Sequence, residues 1–253
     1  MELSLFLNNL RDPMGLPFYG VVFQVLLVLT FALHIFFVNI VVGSLLMALW
    51  NRFGWTEHQH GLSKTLAKVA TICTSVAVVL GVAPLLFVQV IYDPFWYSAN
   101  LLSAWWSMLF LLLITLGFLA AYIFYLRHGQ SPGLSLTAGV FSTALILAAG
   151  GIIHMLNMES LLPQLWAEWY SGSGELATSG WGFKAFSPSR LGHFIVPAFV
   201  NIGIFLLLYS WYYSRKAGSD TGYLEWIAGV GKRLVRIGLV VQLFFGLWWL
   251  FTL

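Results

Sequence analysis

Six apolar stretches, each long enough to cross a bilayer as a helix, constrain this chain more than any other feature of its sequence. They run from about Tyr19 to Trp50, Leu66 to Tyr92, Leu101 to Tyr125, Leu134 to Leu156, Leu191 to Tyr213 and Leu234 to Leu253. Crossing ~30 Å of hydrocarbon takes roughly 20 residues of helix. Alternating β-barrel patterning is absent, so helices are the remaining way to satisfy the backbone in lipid. The rest of the composition agrees. Only 8% of residues are Asp, Glu, Lys or Arg and 60% are apolar, against about 25% charged in a typical soluble domain. Soluble enzymes, secreted disulfide scaffolds and disordered regulators are thereby excluded, and no nucleic-acid partner is expected. Cys73 is the one cysteine, which rules out a disulfide framework, a zinc cluster and a covalent c-type haem motif. The expected fold is all-α: a polytopic membrane bundle of six transmembrane helices, forming one integral membrane domain over 1–253.

Basic residues set the expected orientation. Arg52, Lys64, Lys68, Arg127, Arg215, Lys216, Lys232, Arg233 and Arg236 flank one side, and Arg11, Lys184 and Arg190 the other. The larger group marks the cytoplasm, so both termini are expected outside. Residues 1–18 lack a basic start, and Asn8, Asn9, Arg11 and Asp12 interrupt them. They fit an interfacial segment with Leu3, Leu5, Phe6 and Leu10 toward lipid, not a signal peptide. The largest connection, 157–190, lies on the outer face and carries Trp166, Trp169, Tyr170 and Trp181. Those aromatics read either as interfacial anchors or as a docking surface.

Ionisable groups inside lipid are costly and mark function by default. Acidic and basic residues stay near the span ends, which argues against a proton pump or an ion-coupled transporter. Among the histidines, His58, His60 and His128 fall in connections and read as solvated. His34, His154 and His193 fall within spans. Each has two readings, an interhelical hydrogen-bond donor or an axial ligand to haem iron in a helical bundle. Ala148-Ala149-Gly150-Gly151 precedes His154, and Gly150 sits one turn below it. Small residues there admit either a macrocycle or a second helix. Pro197 lacks the N–H that would bond the carbonyl of His193, so a bend is expected there. Arg190, one turn from His193, suits a haem propionate or a snorkelling interfacial role. Thr30 and Asn39 make one flank of the first span polar. Met155 and Met158 are weak-ligand candidates whose commoner role is packing.

These residues bring a family into view. Phe23-Gln24 through Thr30, Ala32-Leu33-His34, Phe37-Val38 and Gly43 resemble the first helix of subunit I of cytochrome bd quinol oxidases. Gly81-Val82-Ala83 resembles its second helix, Leu147 to Gly151 its fourth, and His193 the histidine that opens its fifth. Lys232-Arg233 matches the basic pair before its sixth. The resemblance implies a haem-binding membrane subunit whose first four helices form the haem-binding bundle. It makes His34 the ligand of the oxygen-side haem and His193 the ligand of the low-spin haem b that takes electrons from quinol.

The departures point away from an oxidase. Family members continue for about three more helices, whereas this sequence reaches Leu253 as the sixth closes. The quinol-binding loop and the later methionine and glutamate ligands have no counterpart, and Ala104 and Leu112 stand where the family carries acids for proton delivery. His154 replaces a non-ligand polar residue of the family, so its candidacy rests on chemistry alone.

The leading expectation is therefore a haem b electron-transfer subunit, with one or two haems and with quinone as a further candidate. Its partners would be membrane lipid and an outer-face c-type cytochrome or other redox subunit, with a homo-oligomer also open. The alternatives are a reduced bd-like oxidase subunit and a non-haem scaffold or transporter.

Overall fold

Local sequence decides where each helix starts. Thr56 and Gln59 form a reciprocal capping box: Thr56 N donates to Gln59 Oε1 at 3.2 Å and Gln59 N donates to Thr56 Oγ1 at 3.3 Å. The second helix therefore begins at Glu57, well before the apolar stretch at Leu66. Asp220 caps the last helix by accepting from Tyr223 N at 3.0 Å. That helix starts at Thr221, not near Leu234, because Leu224 and Ile227 bury against its neighbours. Pro132 and Pro188 occupy first-turn positions, where a missing N–H costs nothing.

The computed structural model describes residues 15–16, 18–172, 174 and 176–252. In chain order the helices are α1 (Gly20–Arg52), α2 (Glu57–Ile91), α3 (Asp93–Leu102), α4 (Ala104–Leu126), α5 (Pro132–Ser160), α6 (Trp166–Ser171), α7 (Pro188–Ile195), α8 (Pro197–Tyr213) and α9 (Thr221–Leu250). No strand occurs among the described residues. Six helical stretches are long and apolar enough to cross a membrane, with α7 and α8 together making the fifth. The fold is a helical membrane bundle. The expected interfacial segment 1–18 lies almost wholly outside the described residues. The 157–190 connection holds the end of α5, a short 3-10 turn at Pro163–Leu165, α6, and then, at residues 176–187, a run without regular structure.

The chain divides into two compact units. One comprises residues up to His34, Val78–Thr115 and Leu147–Ser187. Its core joins Trp96, Ile152, Met155 and Leu156, with Val88, Trp106 and Phe110 packed against them. Met155 is 0% exposed there, packed among these side chains. The other unit comprises Ile35–Ala77, Leu116–Ile146 and Pro188–Leu253. Glycines set its helix crossings, as close backbone approach in lipid requires. A Cβ on Gly231 would lie 2.8 Å from Gly203 O, and one on Gly203 2.9 Å from Gly231 O, so α8 and α9 cross backbone to backbone. Gly43 of α1 lies directly against the carbonyl of Ala198.

The expected bend at Pro197 is present as a one-residue interruption at Val196, between α7 and α8.

Candidate functional site

The three intramembrane histidines sit in three different surroundings. His34, half-buried on α1, has its imidazole close against Gly81 of α2. A Cβ on Gly81 would come within 2.8 Å of His34 Cε1 and 3.0 Å of Nδ1, so only glycine leaves the ring its place. Thr30, one turn earlier, spends its hydroxyl on the carbonyl of Leu26 at 2.7 Å and does not reach the ring.

His193 on α7 is braced by one face of α9. Gln242 Nε2 donates to His193 O at 3.0 Å and lies 3.0 Å from His193 Nδ1. The first bond has a clear cause. Pro197 provides no N–H for the carbonyl of His193, and the side chain of Gln242 supplies the missing donor. One turn on, Gly246 leaves room for the ring, whose Cε1 and Nδ1 would be 3.3 Å from a Cβ there. Trp249 completes the face with its ring centroid 5.3 Å from the imidazole. The spacing 242, 246, 249 places all three on one side of a helix. Arg190 joins them, its guanidinium 5.6 Å from the Trp249 centroid in a cation–π contact. Ser189 Oγ meets Thr252 Oγ1 at 3.1 Å, tying the start of α7 to the end of α9.

Gln242 Nε2 lies 3.0 Å from Nδ1 and 3.4 Å from Nε2 of His193, and as a donor it makes the ring nitrogen that faces it an acceptor. An imidazole that binds iron through Nε2 carries its hydrogen on Nδ1. Gln242 Oε1, buried without a hydrogen-bond partner, would accept that hydrogen after a turn of the amide.

His154, 8% exposed on α5, is engaged differently. Its Nε2 accepts the backbone N–H of Ser187 at 3.2 Å, and its ring packs edge-on against Phe186 at 5.2 Å. Both residues belong to a strap, residues 180–187, that lies over the ends of α4 and α5. Trp105 N donates to Gly180 O at 3.2 Å, Trp106 Nε1 to Trp181 O at 2.9 Å, and Ser103 Oγ to Gly182 O at 3.0 Å. Trp105 and Trp181 stack at 5.6 Å. Ligation through Nε2 of His154 requires its bond to the strap to break. Gly150, the small-residue candidate beside it, has open space where a side chain would be: among the described residues a Cβ there or on Gly151 meets no atom within 4 Å.

Among the described residues, His34 is thus paired with Gly81, Arg190 and His193 share Trp249, and His154 belongs to the strap. No group of three His, Cys, Asp or Glu side chains capable of holding a metal ion forms among them.

One expectation about the connections is corrected. His128 is not a solvated loop residue: it is 8% exposed, with Nε2 2.9 Å from Ser63 Oγ. Ser63 spends its only hydrogen on Ala48 O at 2.8 Å, so His128 is the donor. Burial, helped by the charges of Arg52, His60 and Lys64, lowers its pKa to about 4. His58 does fit the solvated reading, 44% exposed and 3.8 Å from Asp220. Gln242, Gly246 and Trp249 escaped the sequence reading, although their helical spacing was visible. So did Glu159, because α5 continues past Leu156 and carries it into a fully buried position.

These features define a polytopic helical membrane protein with histidines set against glycines of neighbouring helices. No family model, curated protein or solved structure matches the chain.

Proposed function

We propose that the chain is a haem b-containing electron-transfer subunit of a membrane respiratory complex, similar to the front half of a bd-type quinol oxidase subunit I. The observation that carries this reading is the contact of His34 with Gly81. Both positions were picked out by the same family resemblance, on two different helices, and they meet. His193 against Gly246 repeats the arrangement. A glycine facing an imidazole keeps the side-chain shell thin where a flat macrocycle needs room.

Among the candidates, His34 and His193 suit axial ligation, and Arg190 beside His193 suits a propionate. His154 suits it less, because Nε2 already accepts from the strap. The open space at Gly150 and Gly151 favours a bulky neighbour over a packed helix. Haem, when bound, would supply a one-electron couple, and this chain's residues would bind it and exclude water. In this reading the basic connections lie in the cytoplasm of a bacterial cell and both termini lie outside. Electrons pass between the quinone pool or a membrane partner and an outer-face cytochrome.

A pyridine haemochrome assay and a reduced spectrum with and without carbon monoxide test it. The expected result is haem b whose spectrum does not respond to carbon monoxide. Absence of haem from the purified protein would sink the proposal, and a carbon monoxide response would favour the reduced-oxidase alternative.

A second reading has an observation of its own. His154 bonded to Ser187 N, and His193 bonded to Gln242, are what a non-haem membrane scaffold would use histidines for.

A further inference from the structure

Glu159 ends α5 with no solvent exposure at all. Its Oε1 lies 2.9 Å from Ser103 Oγ and 3.3 Å from Lys184 N, while Oε2 is buried without a hydrogen-bond partner. Ser103 Oγ also lies 3.0 Å from Gly182 O. A serine hydroxyl has a single hydrogen, and a carbonyl or a carboxylate oxygen can only accept. An ionised Glu159 would therefore leave Ser103 facing two acceptors with one hydrogen between them. A protonated Glu159 removes the conflict. Oε1–H donates to Ser103 Oγ, Ser103 donates to Gly182 O, and Lys184 N–H still donates to Oε1. Each of the three contacts then carries a hydrogen.

The surroundings support the same conclusion. A carboxylate taken wholly out of water needs a counter-charge. Lys184, on the strap, is the charged side chain that bears on Glu159. The one ion pair within 4.0 Å among the described residues is nevertheless that of His58 with Asp220. From the segment that follows α5, Trp166 Nε1 donates 2.9 Å to Glu159 O and not to the carboxyl group. Ser103, at the joint of α3 and α4, is uncharged. His154, five residues earlier on the same helix, is engaged with Ser187.

We propose that Glu159 is a proton-binding site that latches the 180–187 strap. At neutral pH it holds a proton between its carboxyl and Ser103. When that proton leaves to water, Glu159 becomes a carboxylate and Ser103 must turn its hydrogen either to Oε1 or to Gly182 O. One tie of the strap is then lost. Proton occupancy and strap docking are linked in this way, and the linkage reaches His154 through Ser187. The proposal goes beyond the electron-transfer reading and does not depend on it.

Infrared spectroscopy of the purified full chain tests it, with Glu159→Gln as the comparison. At pH 7 the wild type is expected to show the C=O stretch of a protonated carboxylic acid, sensitive to D2O and lost in Glu159→Gln. Ser103→Ala should move the same band to higher frequency, because the acid loses its acceptor. Raising the pH should remove the band and speed amide exchange at Trp105 and Lys184 together, a coupling that Glu159→Gln abolishes. A wild-type spectrum without that band overturns the proposal, as does a band present only after sodium and potassium are replaced by choline, which would mark a cation site. If Glu159→Gln fails to fold, a band unmoved by Ser103→Ala overturns it equally.

Discussion

His154 and His193 are both histidines inside apolar helices, yet different kinds of partner hold them. His154 is fixed by a backbone N–H of the strap, which cannot turn away without moving the chain. His193 is fixed by the amide of Gln242, a side chain that can rotate and offer its oxygen instead. A ring bonded to backbone is committed to structure, whereas a ring bonded to a side chain can exchange that partner for a ligand. The difference ranks the candidate ligands, and substitution can break the ranking. His34→Ala and His193→Ala should each remove a haem from the purified protein, a loss of tenfold or more in occupancy. His154→Ala should leave haem in place and instead speed amide exchange in residues 180–187. If His154→Ala loses as much haem as His193→Ala, the distinction is wrong. Gly81→Ala should resemble a weaker His34→Ala, because its Cβ displaces the ring.

His128 extends the comparison to a histidine that is wholly structural. It donates to Ser63 and is kept neutral by burial. The folded chain takes up its proton only near pH 4, whereas the unfolded chain does so near the ordinary value of about 6.5. Below pH 6.5 the unfolded state therefore binds more protons. The stabilisation is complete above pH 6.5 and falls as the pH drops toward about 4. It amounts to roughly 3 kcal/mol at most. Thermal unfolding of wild type and His128→Asn at pH 7 and pH 4.5 checks this. The gap between the two proteins should shrink at the lower pH, and an unchanged gap would show that His128 titrates normally.

Much of this could be read from residues alone, because lipid forces the backbone into helices and apolar length reveals them. The six spans and the interruption before Pro197 are local properties of the chain. The starts of α2 and α9 were obscured because Thr56, Gln59 and Asp220 cap turns that lie outside the apolar runs. His128 looked solvated because its burial depends on Ser63 and Ala48, distant in sequence. Glu159 escaped notice because what buries it is a strap of 180–187 with no regular structure. Gln242 was visible as a polar residue in an apolar helix. Its role appears only once the carbonyl left unpaired by Pro197 lies beside it.

That pairing gives a sharper test of what holds His193. Gln242→Leu removes the donor to a half-buried carbonyl and should destabilise the protein by about 1 kcal/mol. Pro197→Ala restores the backbone N–H that His193 O lacks. In the Pro197→Ala background the cost of Gln242→Leu should then fall by about half or more, a coupling that a double-mutant cycle on thermal or denaturant midpoints measures. Additive costs would mean that Gln242 acts on the ring and not on the carbonyl.

The smallest effect is expected at Gly150, and it separates the two readings of the small residues near His154. Among the described residues a Cβ added there meets no atom within 4 Å, so Gly150→Ala carries no packing penalty against them. Replacing a mid-helix glycine by alanine gains roughly 0.5–1 kcal/mol from backbone entropy. The apo protein should therefore be slightly stabilised. If a macrocycle lies against that face in the loaded protein, the added methyl should lower haem occupancy while the apo protein keeps its gain. A gain that persists unchanged with full haem content would place any haem away from that face, on His34 or His193, and leave His154 to the strap.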